Sequence, residues 1–186
     1  MFKQHDHVGF VCGQLWQWRK VVFPYLAQGL ARGERCAYLT TLHTPWLLTN
    51  LLAWQGVNLQ AVKARGQLVI ADAARHYLHR GWFDPDRAIA KNIAATRRAL
   101  DQGFTGLRSV GDMSWAAYHP LEWERLEEYE TRLDRELFAC LPATAICLYD
   151  QQLFSPGLRE MVERTHPLMI DALGLPRPGG RAAGHC

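Results

Sequence analysis

Gly106-Leu107-Arg108-Ser109-Val110-Gly111-Asp112-Met113-Ser114-Trp115 reads as a short buried strand that ends abruptly on a carboxylate, a thioether and an indole. Gly106 and Gly111 mark where the backbone must bend or be approached closely. In open α/β sheets ligands bind outside the carboxyl ends of the strands, so Asp112, Met113 and Trp115 fall where a crevice is expected. Arg108 lies inside the strand and keeps its charge and five donors, so burial obliges it to find an acceptor elsewhere in the fold.

Outward from this strand, apolar runs alternate with helical periodicity. Strands are expected at His7–Cys12, Arg35–Thr40, Gly66–Asp72 and Ala143–Asp150, with a short edge strand at Thr165–Ile170. Between them, a helix runs from Gln14 toward Gly33 with Pro24 set to kink or restart it, and another starts at Pro45 with Thr44 as cap. Asp84-Pro85 opens a helix that Gly103 closes, and Ser155-Pro156 opens the last one. The stretch Ala73–Phe83 has no clear period and reads as a loop holding a single turn. Such alternation predicts an α/β fold: one three-layer domain over residues 1–173 with a mostly parallel sheet of five to six strands, then a disordered tail at 174–186.

Leu121–Phe138 reads as a clearly amphipathic helix, with Trp123, Leu126, Tyr129, Leu133 and Leu137 along one face. Glu130 interrupts that face. Its carboxylate is predicted to be buried and to need a partner, and Arg108 is the candidate, so the two are expected to form a structural ion pair.

The 186 residues, 48% hydrophobic and 21% charged, suit one globular domain with a single substantial core. The formal charge of +3 is mild and its basic residues are interspersed with acidic ones, which leaves no nucleic-acid footprint. No apolar run approaches the ~20 residues of a membrane span, and the start has no signal-peptide pattern, so a cytoplasmic protein is expected. Five cysteines, at 12, 36, 140, 147 and 186, form no Cys-x-x-Cys pair and signal neither a disulfide framework nor a zinc knuckle.

A phosphate loop beginning at Gly13 would need glycine, lysine and a hydroxyl where the chain has Trp18, Arg19 and Lys20, so no ATP hydrolysis is expected. Neither Gly-x-Gly-x-x-Gly nor Gly-x-Ser-x-Gly occurs, which removes support for nicotinamide binding and for a hydrolase elbow. The carboxyl rim of a parallel sheet would collect Cys12, Gln14, Trp16, His43, Asp112, Met113, Trp115, Tyr149 and Asp150 as ligand-binding residues. Walls of indole, thioether and thiol suit a small, mostly apolar ligand, with Tyr149 and Asp150 orienting it. Cys12, His43, His76 and His79 form an alternative metal set, although their spacing is not diagnostic. His7 and His166 sit at the far ends of their elements, where capping or bridging backbone groups is the simpler role.

Taken together, His7 opening the first strand, Gly29-Leu30 leading to Gly33-Glu34-Arg35-Cys36, Arg65-Gly66-Gln67-Leu68 and Phe83-Asp84-Pro85-Asp86 form the first half of an ordered pattern. Gly106-Leu107-Arg108, Gly111-Asp112-Met113-Ser114-Trp115, Tyr129-Glu130, Tyr149-Asp150 and Thr165-His166-Pro167 complete it. This pattern resembles the MEDS domain, the methanogen/methylotroph DcmR sensory domain, over about residues 5 to 172. The resemblance implies a RecA/KaiC-like fold without a functional P-loop, and sensing of small hydrocarbon derivatives. It also implies a partner that carries the output, such as a kinase, an anti-sigma factor or a DNA-binding regulator. Within these 186 residues no such module is expected, and Cys12 stands where the family commonly has an aromatic residue.

The sequence therefore predicts a non-enzymatic sensory domain that takes a small ligand and signals through a partner protein, with a homodimer as a further possibility. Its two rivals are a metal or metal-cofactor protein built on the Cys/His set, and a degenerate RecA-like interaction scaffold.

Overall fold

The computed structural model describes residues 2–41, 45–118 and 123–182, excepting the side chain of Pro156. In chain order the elements are β1 (His7–Cys12), α1 (Leu15–Ala31), β2 (Arg35–Thr40), α2 (Pro45–Trp54), α3 (Leu59–Ala64), β3 (Leu68–Asp72) and α4 (Ala73–Tyr77). A hairpin follows, β4 (Leu78–His79) and β5 (Trp82–Phe83), then α5 (Pro85–Asp101), β6 (Leu107–Asp112), α6 (Trp115–Tyr118) and α7 (Trp123–Leu133). A π-helical turn, Asp134–Phe138, extends α7 before β7 (Ala143–Asp150), α8 (Pro156–Thr165), β8 (Leu168–Ile170) and β9 (Pro176–Pro178).

The main sheet has the order β3-β2-β6-β7-β1-β8-β9, one or two strands more than expected. Its ladders are parallel except the last, where β9 runs antiparallel to β8. Parallel pairing puts Cys12, Thr40, Asp72, Asp112 and Asp150 on one carboxyl rim. The chain leaves β1, crosses to β2 two strands beyond its neighbour β7, and later fills the gap with β6 and β7, so the crevice outside β1, β7 and β6 is where a ligand site is expected.

Period-two alternation splits the core between the sheet faces. Val8, Phe10, Val110, Ile146 and Leu148 pack with Trp18, Val22 and Leu26 of α1 and Leu48 of α2. Ala145, Cys147 and Tyr149 pack with Ile89 of α5, Leu126 and Tyr129 of α7, and Val162 of α8. Arg108 shares its face with Val110, under α1, where a Cβ on Gly29 would collide with its side chain. Glu130 lies on the opposite face, so the expected Arg108–Glu130 pair does not form. Strand alternation, not burial, decided the matter. Arg108 instead pairs with Glu34 at the entrance to β2.

The tail also departs from expectation over its described part. Asp171 Oδ1 accepts the amides of Leu173 and Leu175, both at 2.8 Å, and Gly174 takes φ +77°, which turns the chain back so that β9 pairs along β8. Two prolines, Pro176 and Pro178, suit an edge strand, because an outer edge needs no donors there. The stretch read as a loop holds α4, capped by Asp72 through the Arg75 amide, and a hairpin turned by Arg80 and Gly81, both at positive φ.

Candidate functional site

At the rim, a cavity of about 210 Å³ opens between the ends of β1, β6 and β7. Cys12, Leu15, Trp18 and Leu148 supply much of its apolar wall, and Gln14, Asp112, Ser114, Asp150 and Gln152 its polar one. Asp112 is buried and splits its carboxylate between two backbone amides, Thr41 N at 2.8 Å and Ser114 N at 3.0 Å. It thereby fixes the loops after β2 and β6 against each other. The hydroxyl of Ser114 is buried and has no hydrogen-bond partner among the described residues. Below, the Trp18 indole donates to the Tyr38 hydroxyl at 3.1 Å, which holds the ring in place.

The loop from β1 to α1 is where phosphate-binding folds of this kind present backbone amides. Here Gln17 Oε1 accepts both Gly13 N and Gln14 N, each at 3.0 Å, so those donors are already satisfied by the chain itself.

Behind the rim, on the α7 face, lies a second and wholly buried polar cluster. Glu130 and Asp134 are one helical turn apart on α7 and its π extension, so their carboxylates straddle His7: Nε2 meets Glu130 Oε2 at 3.2 Å and Nδ1 meets Asp134 Oδ1 at 2.9 Å. The Tyr149 hydroxyl donates to Glu130 Oε1 at 2.6 Å and the Cys147 thiol lies 3.3 Å from Glu130 Oε2. His166, directly after α8, donates from Nδ1 to the Val162 carbonyl at 2.8 Å and turns Nε2 toward Glu130 Oε2 at 3.6 Å. Gly9 makes this packing possible, since a Cβ there would lie 3.0 Å from the His166 ring and 2.6 Å from the Met169 sulfur.

Burial opposes charge on His7, but the hydrogen bonds to Asp134 and Glu130 outweigh it and raise the imidazole to about 9. Burial, reinforced by the neighbouring His7, pushes His166 down to about 4. Glu130 is held below the ordinary carboxylate range: burial works against its charge, and contacts from His7, His166 and Tyr149 overcome it. Burial and then the Glu130 charge drive the Cys147 thiol well up.

The model of the MEthanogen/methylotroph, DcmR Sensory domain matches residues 6–167. The chain belongs to the MEDS family. Among curated proteins it is similar to the transcriptional repressor DcmR of Methylorubrum extorquens (strain DSM 6343 / CIP 106787 / DM4), 26% identical over 153 residues. The match takes in 81% of this chain but only 54% of DcmR, so the chain spans about half the length of that relative. Three solved structures share the fold. An uncharacterized Pyrococcus horikoshii protein, crystallised with an unknown peptide, is 17% identical with a TM-score of 0.65 over 90% of this chain and 77% of that one. A KaiC-like protein of Pyrococcus horikoshii OT3 gives 16% and 0.57 over 90% and 71%, and the flagellar accessory protein FlaH of Methanocaldococcus jannaschii gives 11% and 0.59 over 91% and 71%. The fold of this MEDS chain is thus KaiC/RecA-like.

Within the MEDS fold the residues expected at the rim divide. Cys12, Gln14, Asp112 and Asp150 line the cavity. Trp16 points to solvent on the outer side of α1. Met113 and Trp115 are core residues, with Trp115 stacked on Tyr77 at 5.1 Å and tilted against Phe83 at 5.0 Å. Tyr149 faces the other way, into the Glu130 cluster, because it alternates with Leu148 and Asp150 along β7. His43 lies outside the described residues. The remaining members of the alternative metal set do not assemble: the Cys12 thiol donates to Gln14 O, His76 bonds Asn92 at 3.0 Å, and His79 sits exposed in the hairpin. The cluster of His7, Cys147 and His166 was not foreseen. The available signal was Glu130 on an apolar stripe, which needed partners on that face.

Proposed function

We propose that this MEDS chain is a sensory domain that binds a small, mostly apolar molecule with one polar group at the rim of its sheet and signals through a partner protein. The carrying observation is the cavity between β1, β6 and β7, lined by Leu15, Trp18 and Leu148 together with Asp112, Ser114 and Asp150. At about 210 Å³ the cavity is smaller than the roughly 300–1,000 Å³ of drug-sized sites, which favours a ligand of few heavy atoms over a nucleotide. The Gln17 side chain occupying the loop amides supports the same choice.

Family membership and the similarity to a transcriptional repressor support a regulatory role. In this reading the output is protein contact, not chemistry on the ligand. Trp16, Trp46, Trp54 and Trp82 each stand more than half exposed, and indoles are among the residues most enriched where proteins meet.

Native mass spectrometry of tag-free protein tests the reading. The expected result is a small organic mass released on denaturation, or saturable binding of short alcohols or halogenated hydrocarbons in titration calorimetry, lost in Leu148→Trp. Absence of both, or binding undiminished by that cavity-filling change, would overturn it.

A further inference from the structure

We propose that His7, Glu130, Cys147 and His166 form a closed, four-coordinate site for one divalent metal ion of the zinc class, buried beneath β1 and β7. The inference is independent of the rim cavity.

The geometry comes first. A tetrahedral site with bonds of about 2.0–2.3 Å has ligand-to-ligand edges of roughly 3.3–3.7 Å. His7 Nε2–Glu130 Oε2 is 3.2 Å, Glu130 Oε2–Cys147 Sγ 3.3 Å, Cys147 Sγ–His7 Nε2 3.4 Å and His166 Nε2–Glu130 Oε2 3.6 Å. All four donor atoms lie within 4.8 Å of one another. No other group of three or more such side chains is brought together among the described residues.

The surrounding hydrogen bonds are those that metal-bound side chains require. A ligating histidine donates its second N–H to a carboxylate or a carbonyl, which fixes the tautomer and leaves the other nitrogen as a lone pair. His7 Nδ1 has Asp134 and His166 Nδ1 has the Val162 carbonyl. Glu130 offers Oε2 to the site while Oε1 holds the Tyr149 hydroxyl. His166 Nε2 is therefore a lone pair, wholly buried, aimed at a carboxylate oxygen and without a hydrogen-bond partner among the described residues. An acceptor facing an acceptor in an apolar interior is costly, and a cation between them removes the conflict.

Charge closes the case. Two imidazoles, one carboxylate and one thiolate around a 2+ ion sum to zero, the balance that burial favours. The remaining carboxylate, Asp134, has Arg181 Nε 2.7 Å from Oδ2. On entry the ion displaces the thiol proton of Cys147 and the proton that His7 shares with Glu130. Two protons leave, two metal–ligand bonds form in their place, and no oxidant or reductant is needed. The mixed nitrogen, sulfur and oxygen set suits Zn²⁺ better than Mg²⁺ or Ca²⁺.

Because the site is closed, the test supplies metal during folding. Full-length protein refolded under reducing conditions with one equivalent of Co²⁺ is expected to hold one ion per chain, with tetrahedral visible bands and a thiolate-to-cobalt band in the near ultraviolet. Cys147→Ser should lose the near-ultraviolet band, His166→Gln should weaken binding roughly 10- to 100-fold, and Cys12→Ser should change neither. Should Cys147→Ser not fold, X-ray absorption of the zinc-refolded parent decides. One sulfur at about 2.3 Å with three nitrogen or oxygen neighbours at about 2.0–2.2 Å supports the site, and any other shell overturns it. Less than about a tenth of an equivalent of metal after refolding, or a charge-transfer band that survives Cys147→Ser, also overturns it, and the cluster is then a proton-linked polar network only.

Discussion

Arg108 and Glu34 form a bidentate ion pair sealed under α1, with Arg108 Nε and Nη2 donating to the two carboxylate oxygens and the guanidinium lying 4.5 Å over the Tyr25 ring. Neither side chain is more than 3% exposed. The pair ties the middle of the sheet to the turn that enters β2, on the face opposite Glu130.

Removing one partner of such a pair leaves a buried charge alone. Glu34→Ala is expected to destabilise the fold by roughly 3–5 kcal/mol. Urea titration gives the value, and a loss below about 1 kcal/mol would mean that Arg108 finds water or another acceptor.

Glu130→Ala should also be costly, but through His7, Tyr149 and Cys147 and not through Arg108. Since Glu34 and Glu130 share no partner and sit on opposite faces, the double variant should lose the sum of the single losses within about 0.5 kcal/mol. Strong non-additivity in that cycle would reinstate a link between the two carboxylates.

Gly111 lies where the Tyr77 hydroxyl comes down onto β6, and a Cβ there would clash with that oxygen. Tyr77 cannot swing away easily because its ring is stacked on Trp115. Gly111→Ala is expected to cost about 1–3 kcal/mol, as overpacking does. Adding Tyr77→Phe removes the colliding atom, and thermal melts should then show part of the loss recovered. A double variant no better than Gly111→Ala argues against this contact as the cause.

His76 is held down to about 4 by burial, with Lys91 adding to the effect and the Asn92 hydrogen bond opposing it. The unfolded chain takes up that proton near pH 6.5, so this group's contribution to stability is full above about 6.5 and is lost as pH falls toward about 4. Between pH 7 and 5 the parent should lose about 1–2 kcal/mol more than His76→Gln in urea titrations. Parallel losses in the two proteins would show that His76 is not the titrating group.

The elements that could be read locally are those whose signals are local. Asp84-Pro85 sets the start of α5 through a side-chain cap and a preset φ, and the apolar runs at 7–12, 107–112 and 143–150 are buried strands because nothing polar interrupts them except residues with specific partners. Gly106 and Gly111 were legible as points of close approach, and the structure fills both Cβ positions with Pro142 and Tyr77 atoms. The short hairpin after α4 was not legible, because four strand residues around Arg80-Gly81 give too few positions for a period to show.

By itself the sequence determined the α/β alternation, the burial of Arg108 and Glu130, and the family pattern, since each follows from spacing along one chain segment. Only the tertiary structure decided the partners. Which face of β6 lies under α1 depends on strand order and handedness, and that sent Arg108 to Glu34 and left Glu130 with His7. Likewise Tyr149 and Asp150 are neighbours in sequence, yet the pleat sends one into the buried cluster and the other to the rim cavity. His7, Glu130 and Cys147 come from β1, α7 and β7 and His166 directly follows α8, and only the packing of α7 and α8 across β1 and β7 brings their donor atoms together.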